Sequence, residues 1–189
     1  KRRVHGEAWY PGESVITSIG QGYLLATPLQ LAQMTARIAM NGVGYKPRFV
    51  IAQRETKEDG FAPLEPTALP SIDLKQQEHW QQVLIGMRAV VNGRTGTAHN
   101  ISKGASYDIA GKSGTAQVIS IAQDSEYEEA DIAQHLRDHA LFIAYAPIEQ
   151  PKIAVAVIVE NGGSGSRIAA PIARKVMDAY LLKRTTDGQ

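Results

Sequence analysis

The 189-residue chain contains no cysteine, which excludes disulfide bonds and thiolate metal ligands. It also lacks long apolar runs, because the longest dense one, residues 153–159, has the length of a strand rather than of a membrane-spanning helix. Neither sign of charge dominates: 20 Lys and Arg nearly balance 19 Asp and Glu, so nothing indicates a nucleic-acid partner. The apolar fraction of 43% and the charged fraction of 21% are typical of a globular chain that forms one domain, or a large part of one.

The hydrophobic pattern predicts an α+β fold in which an antiparallel sheet is flanked by helices. Thr27 followed by Pro28 is typical of a helix start, and this helix is expected to end near residues 41–42. A second helix is predicted over residues 73–91, and a third from about Pro171. The third helix is expected to bury three apolar residues spaced by four positions: Ile172, Val176 and Tyr180.

Strands are predicted mainly in the second half of the chain. A short strand over residues 47–54 precedes a surface loop over residues 55–70 that is rich in proline and glycine. The later strands are predicted over residues 115–122, 139–146 and 152–160. Their short or medium connections favour antiparallel neighbours.

The most informative stretch is residues 111–117, which reads Gly-Lys-Ser-Gly-Thr-Ala-Gln. A phosphate-binding P-loop would need a further glycine where Ser106 stands, and a nucleophile elbow would need a glycine where Thr115 stands. A glycine-rich bend into a strand is the plainest alternative. Lys112-Ser113-Gly114 also fits the Lys-[Ser/Thr]-Gly element of active-serine penicillin-interacting enzymes, which offers a cation and hydroxyl groups to a substrate carboxylate.

Flanking segments extend this resemblance, in order, over nearly the whole chain. They are residues 9–13, 18–23, 26–30, 92–98, 110–117, 137–142 and 154–163. On these segments the chain resembles the transpeptidase domain of class B penicillin-binding proteins, most of all the penicillin-binding protein 2 subfamily of Gram-negative rods. The resemblance implies a partial penicillin-binding or serine β-lactamase-like transpeptidase fold, and a peptidoglycan D,D-transpeptidase function in cell-wall elongation.

Two elements of that family are missing from the sequence. No serine is followed by lysine three positions later, so the Ser-x-x-Lys nucleophile element is absent, and no serine has asparagine two positions later. In the family both elements precede Lys-Ser-Gly. Residues 1–189 are therefore expected to be the C-terminal portion of a transpeptidase domain whose nucleophile-bearing portion lies outside this chain, and the chain alone is expected to be inactive.

The chemistry implied by the resemblance is acyl transfer through a serine acyl-enzyme. The serine attacks a stem peptide ending in D-Ala-D-Ala, D-alanine leaves, and the amine of a second stem peptide accepts the acyl group. β-Lactam antibiotics resemble the donor and trap the acyl-enzyme.

The resemblance assigns catalytic roles to Lys112 and Thr115. Lys112 supplies positive charge beside the proton-relay residues, and the backbone N–H of Thr115 forms half of an oxyanion hole. Ser113 and Thr115 alternate along a strand, so their hydroxyls are expected on one face, and residues 115–117 can pair with an extended peptide. Substrate binding is assigned to the neighbouring residues: Ser113, Gly114, Ala116 and Gln117.

No cofactor and no metal site are expected. His135 and His139 are spaced by four residues, but they lack the glutamate of the zinc-protease motif and the second leads into a strand. The glycine- and serine-rich run 162–166 is expected to be a turn that borders the cleft.

Location and partners are implied by the resemblance alone. The implied location is the periplasmic side of the inner membrane, with an anchor outside this chain. The implied partners are the stem peptide, β-lactams, the rest of the transpeptidase domain, a membrane glycan polymerase and elongation-complex proteins. Two alternatives stay open: a serine β-lactamase or D,D-carboxypeptidase of the same fold, and a non-catalytic binding fragment.

Overall fold

The computed structural model describes residues 1–118 and 133–182 of the chain. Its centre is an antiparallel sheet whose spatial order follows the chain: β3 (Ala110–Ala116), β4 (His139–Ala146) and β5 (Ile153–Val159). A smaller antiparallel pair joins β1 (Ala52–Gln53) to β2 (Ala62–Pro63). The helices are α1 (Arg2–His5), α2 (Pro11–Ser18), α3 (Pro28–Ala39), α4 (Glu78–Asn92) and α5 (Ala170–Leu181). This confirms the predicted α+β architecture and its antiparallel sheet.

Shorter helical turns connect these elements. Residues His99–Ser102 and Gln134–Leu136 form 3₁₀ turns, and Gly165–Ala169 forms a π-helical turn that leads into α5. None of the helices among the described residues combines the length and the apolar character needed to cross a bilayer.

Helix α3 begins where its sequence predicts. The Thr27 hydroxyl accepts a hydrogen bond from the Gln30 N–H (3.2 Å), and the Gln30 side chain accepts one from the Thr27 N–H (2.8 Å). This reciprocal capping satisfies two N–H groups that a helix start otherwise leaves unpaired. Further along, Thr35 is buried, and its hydroxyl donates to the carbonyl of Leu31 (2.7 Å).

The sheet has a helical layer on each face. Cross-strand partners share a face, so the register places Ser113 with Phe142 and Val157, on the side covered by α5. Tyr145 lies on the other side, where Met87 of α4 and Ile38 of α3 pack against it. The main core lies between the sheet and α5 and includes Phe142 and Met177, both fully buried.

The predicted buried face of α5 is wrong. The helix buries Ala170, Ala173 and Met177, whereas the exposed residues are those predicted to be buried: Ile172, Val176 and Tyr180. Small residues line the inner face because the chain entering α5 approaches the sheet very closely. A Cβ atom on Gly165 would lie only 2.3 Å from the carbonyl oxygen of Leu141, which leaves no space for a side chain there.

Three predicted boundaries also need correction. Helix α4 begins at Glu78 rather than near residue 73, and only Ala52–Gln53 of the predicted strand 47–54 is paired. Strand β3 begins at Ala110, five residues earlier than predicted, and residues 119–122 of the prediction lie outside the described residues. Glycine disfavours strands, so Gly111 and Gly114 concealed the first half of β3. Here packing overrides propensity, because a Cβ atom on Gly111 would lie 2.7 Å from Cζ of Phe142.

Candidate functional site

The residues singled out in the sequence lie within β3, at the margin of the main sheet, except Gln117, which directly follows the strand. β3 pairs with β4 along one edge, and no described strand pairs with its other edge. Ala110 and Gly111 are buried, whereas Lys112 and Thr115 are exposed. The Lys-Ser-Gly element therefore occupies the middle of the strand rather than its start, and solvent reaches β3 from Lys112 onward.

The strand places the hydroxyl groups of Ser113 and Thr115 on one face. Ser113 is paired with Phe142 and Thr115 with Ala140, and both partners point toward α5. Lys112 and Gly114 are paired with Ile143 and Leu141 and belong to the opposite face. The alternation expected from the sequence is thus present, with the lysine and the two hydroxyls on different faces of the same open edge.

A hydrogen bond identifies which backbone groups point to that open edge. The ammonium group of Lys112 donates to the carbonyl oxygen of Ser113 at 2.6 Å. The N–H and C=O groups of alternate strand residues point to the same edge, so the N–H of Thr115 is directed there as well. The open edge thus combines one cation with backbone groups that no described strand pairs.

At Gly114 the close packing involves the backbone of the residue, not the space that a side chain would occupy. A Cβ atom on Gly114 would meet only Cβ of Leu141, at 3.3 Å. On the other face, a Cβ atom on Gly165 would lie 2.6 Å from the carbonyl oxygen of Gly114. The turn that leads into α5 therefore rests directly on β3. That residues 162–166 border the cleft stays a prediction.

Two residues that the sequence analysis missed connect this turn to the sheet. Asn161 donates from its backbone N–H to Nδ1 of His139 (2.9 Å) and from its side chain to the carbonyls of His135 (3.1 Å) and Arg137 (2.9 Å). Asp138 is buried; its carbonyl accepts from the N–H of Gly163 (2.8 Å). Asn161 has a φ of 54°, a conformation that asparagine tolerates, so an Asn-Gly-Gly run after a strand was the available signal.

His135 and His139 do not share a helix. The first lies in a 3₁₀ turn and the second begins β4, where its Nδ1 serves as an acceptor. Across residues 1–118 and 133–182, no group of three or more His, Cys, Asp or Glu side chains is arranged to hold a metal ion.

A groove continues from the exposed end of β3. It has a volume of about 320 Å³ and lies between residues 115–118 and the loop that follows α2. The loop contributes residues 20–22 with Leu24 and Leu25. In the sequence this loop carries part of the family resemblance, but no site residue is predicted in it, although two glycines around Gln21 were a visible signal of an unusual backbone.

A polar cluster lies away from the exposed part of β3, where α5 meets the loop that precedes β3 in the chain. The Tyr107 hydroxyl and the Nε of Arg174 both donate to Asp178, at 2.5 Å and 2.8 Å, and Arg174 also donates to the carbonyl of Ile101 (2.5 Å). Burial, followed by the bond to Asp178, raises the pKa of Tyr107 well above its usual range. Partial burial acts to raise the pKa of Asp178, but the bonds from Arg174 and Tyr107 outweigh it and lower that pKa. This cluster anchors α5.

Known proteins resemble the chain in both sequence and structure. The peptidoglycan D,D-transpeptidase MrdA of Haemophilus influenzae is 41% identical over 184 residues, which cover 97% of this chain and 28% of that protein. The structure of Pseudomonas aeruginosa PBP2 in complex with WCK 5153 superposes with a TM-score of 0.73 at 46% identity, over 96% of this chain and 36% of that one. Helicobacter pylori PBP2 in complex with MreC gives a TM-score of 0.72 at 31% identity, over 96% of this chain and 30% of that one.

The chain therefore spans less than a third of the length of the MrdA relative that it matches. The family model described as penicillin binding protein transpeptidase domain matches residues 4–178. Because this match covers nearly the whole sequence, the chain belongs to the penicillin-binding protein transpeptidase domain family.

Proposed function

We propose that this chain is the C-terminal portion of a peptidoglycan D,D-transpeptidase of the PBP2 type, which cross-links stem peptides through a serine acyl-enzyme during cell-wall elongation and is a target of β-lactams. The observation that carries the proposal is the open edge of β3, where Lys112 and the hydroxyl-bearing Ser113 and Thr115 are reached by solvent. The same edge can take an extended peptide as an added strand.

The ammonium group of Lys112 reaches the open edge at the carbonyl of Ser113, so it and the two hydroxyls can meet the carboxylate that ends the donor peptide along that edge. An ammonium group and a hydroxyl each form charge-assisted hydrogen bonds with a carboxylate, and such bonds are about twice as strong as neutral ones. Gly114 and Ala116 carry little or no side chain, so the ligand can approach the backbone, and Gln117 is exposed beside them. Lys112 also brings positive charge near the proton-relay residues of the nucleophile element.

Thr115 supplies the backbone donor for the developing oxyanion. Its N–H is directed to the open edge, because the carbonyl of Ser113 accepts from Lys112 there and alternate strand residues point to the same edge. A donor of this kind contributes roughly 3 kcal/mol to lowering the barrier. The second donor of the hole belongs to the nucleophile segment.

The nucleophile-bearing portion of the domain is proposed to cover the N-terminal helices. Helices α1 and α2 bury none of their residues, and large apolar side chains such as Trp9, Ile16 and Leu25 are exposed, the last to 91%. Surfaces of this kind are rare on soluble proteins unless another protein surface covers them. The absence of Ser-x-x-Lys from the sequence supports the same assignment.

For the whole protein we propose action on the periplasmic side of the inner membrane, next to a glycan polymerase and elongation-complex proteins. The H. pylori relative is solved in complex with MreC, which supports a partner of the latter kind.

Covalent labelling with a fluorescent penicillin tests the proposal. The complete protein that carries this chain should take up one label per molecule and release D-alanine from a D-Ala-D-Ala donor. The isolated 189-residue chain should take up none, because it has no Ser-x-x-Lys. A complete protein that is folded but neither labelled nor able to release D-alanine would overturn the assignment, and stable labelling of the isolated chain would show that the nucleophile lies within it.

A further inference from the structure

The loop at the end of α2 has a backbone fixed by two glycines. Gly20 and Gly22 have φ values of 81° and 71°, in the left-handed region that favours glycine. Between them, the N–H of Gln21 donates to the carbonyl of Ile16 (3.2 Å), and a Cβ atom on Gly22 would lie 3.1 Å from Cγ2 of Ile16. The loop is thus held against the last turn of α2, and the position of Gln21 is set before any ligand binds.

Gln21 lines the groove that continues from β3. Its side-chain amide forms no hydrogen bond within the described part of the chain, although the residue is half-buried. A glutamine amide offers two donors and one acceptor, which matches the C=O and N–H groups of a peptide backbone. The opposite wall of the groove is formed by residues 115–118, which belong to the strand end and the segment just beyond it.

The burial of the first residues of β3 determines the direction in which a bound peptide extends away from its carboxylate. Ala110 and Gly111 are buried, so an extended peptide cannot continue along that end of the strand. With its carboxylate at Lys112 and Ser113, the peptide has to run toward residues 116–118. Extended residues advance about 3.3 Å each, and the groove wall begins two positions beyond Ser113, so the two residues that directly precede D-Ala-D-Ala would enter the groove beside Gln21.

From this geometry we infer that Gln21 is a specificity-determining residue, which hydrogen-bonds the backbone of the donor stem peptide on the acyl side of the scissile bond. The inference rests on the proposed function and deepens it. Gln21 makes the enzyme sensitive to the part of the donor that precedes D-Ala-D-Ala, whereas Lys112, Ser113 and Thr115 hold the carboxylate end. A donor too short to reach the groove gains nothing from Gln21.

Two ester donors of different length test this role in the complete protein. The long donor is L-Ala-γ-D-Glu-meso-diaminopimelyl-D-Ala-D-lactate and the short one is N-acetyl-D-Ala-D-lactate; the readout is release of D-lactate. Gln21→Leu should lower kcat/KM for the long donor by about threefold to tenfold, the effect of losing one or two neutral hydrogen bonds. It should leave kcat/KM for the short donor within about twofold, because that donor does not reach the groove. Gln21→Glu keeps the size of the side chain but loses the amide donors, so it should reproduce the selective loss.

Gln81→Leu on the exposed surface of α4 is the matched control and should change neither donor. Equal losses for both donors would overturn the inference, because they indicate disturbance of the cleft as a whole, and so would unchanged kinetics for both. Failure of the proposed function looks different: the wild-type protein would then release D-lactate from neither donor and would not be labelled by penicillin, and the role of Gln21 would be rejected with it.

Discussion

The two halves of this chain use apolar residues in opposite ways. In the sheet and α5, Phe142, Tyr145 and Met177 are at most 1% exposed, and they pack against one another or against the facing helices. In the first 77 residues, Phe49, Leu25 and Ile19 are 73–100% exposed, and α1 and α2 bury nothing. Local sequence is equally apolar in both halves, so burial is decided by where the packing partner lies. The sheet and α5 find it within the chain, and so does α3, which packs on the sheet. The exposed parts of the first 77 residues are proposed to find it in the rest of the domain.

Alanine substitutions of two phenylalanines should show this difference most strongly. Phe142→Ala should lower the free energy of unfolding by about 3–5 kcal/mol, because it empties a fully buried site. Phe49→Ala, at 100% exposure, should change it by less than about 0.5 kcal/mol in this chain. Denaturant titration of both variants measures the contrast. A clear loss of stability for Phe49→Ala in the complete protein, but not in this chain, would show that the missing portion covers Phe49; a loss in the chain itself would contradict its exposure.

Within the better-packed half, substitution of Lys112 should lower activity with little effect on stability. In the complete protein, Lys112→Ala should lower the second-order rate of penicillin acylation by about one to two decades, since a charge-assisted contact is worth about 1.5–3 kcal/mol. Its melting temperature should move little, because the side chain is exposed and, among residues 1–118 and 133–182, bonds only the carbonyl of its neighbour Ser113. Stopped-flow labelling and calorimetry measure the two quantities. Lys75→Ala, another exposed lysine, is the control; equal acylation rates for both variants would leave Lys112 as a surface residue.

Gly165 tests how closely the α5 turn must approach β3. Gly165→Ala should cost about 1–3 kcal/mol of stability, because its Cβ would lie 2.3 Å from a backbone oxygen and the turn would have to move. Gly60→Ala is the matched control, since a Cβ atom there meets nothing within 4 Å. Thermal unfolding measures both. If the two variants are equally stable, the turn is free to shift and does not fix the strand.

The smallest effect concerns the polar cluster that anchors α5. The pKa of Asp178 is lowered in the folded chain, so its contribution to stability is present above the ordinary aspartate pKa and is lost as pH falls through the lowered one. Unfolding free energies between pH 6 and the acid limit should therefore decline less steeply for Asp178→Asn than for the wild-type chain. An exposed aspartate variant, Asp73→Asn, serves as the comparison; identical pH slopes for Asp178→Asn and the wild type would contradict the linkage.

Sequence reasoning succeeded where the determining interactions are local. The Thr27 cap lies within three residues of its partner, and β4 is a continuous apolar stretch whose predicted bounds, 139–146, agree with the structure. It failed where distant contacts decide. Gly111 lies in a strand because Phe142 occupies the space above it, and α5 turns its alanines inward because Gly165 rests on β3.

The candidate site shows the same difference between local interactions and distant contacts. The alternation of Ser113 and Thr115 follows from two-residue strand periodicity, so it could be predicted. The groove wall formed by Gln21 could not, because residues 20–25 and 115–118 meet only in the folded chain. Asn161 was missed for a similar reason, since its side-chain partners, the carbonyls of His135 and Arg137, lie some 25 residues earlier.

The contact between Gly165 and β3 also limits how this site can vary. It is made of backbone atoms on both sides, so no exchange of side chains at residues 114 or 165 can adjust it without adding volume. Under the proposed function, variants that escape a β-lactam while still cross-linking are expected to keep the strand where it is. We expect them to change the side chains that border the ligand, such as Ser113, Gln117 or Gln21, which makes these positions the ones to monitor in resistant isolates.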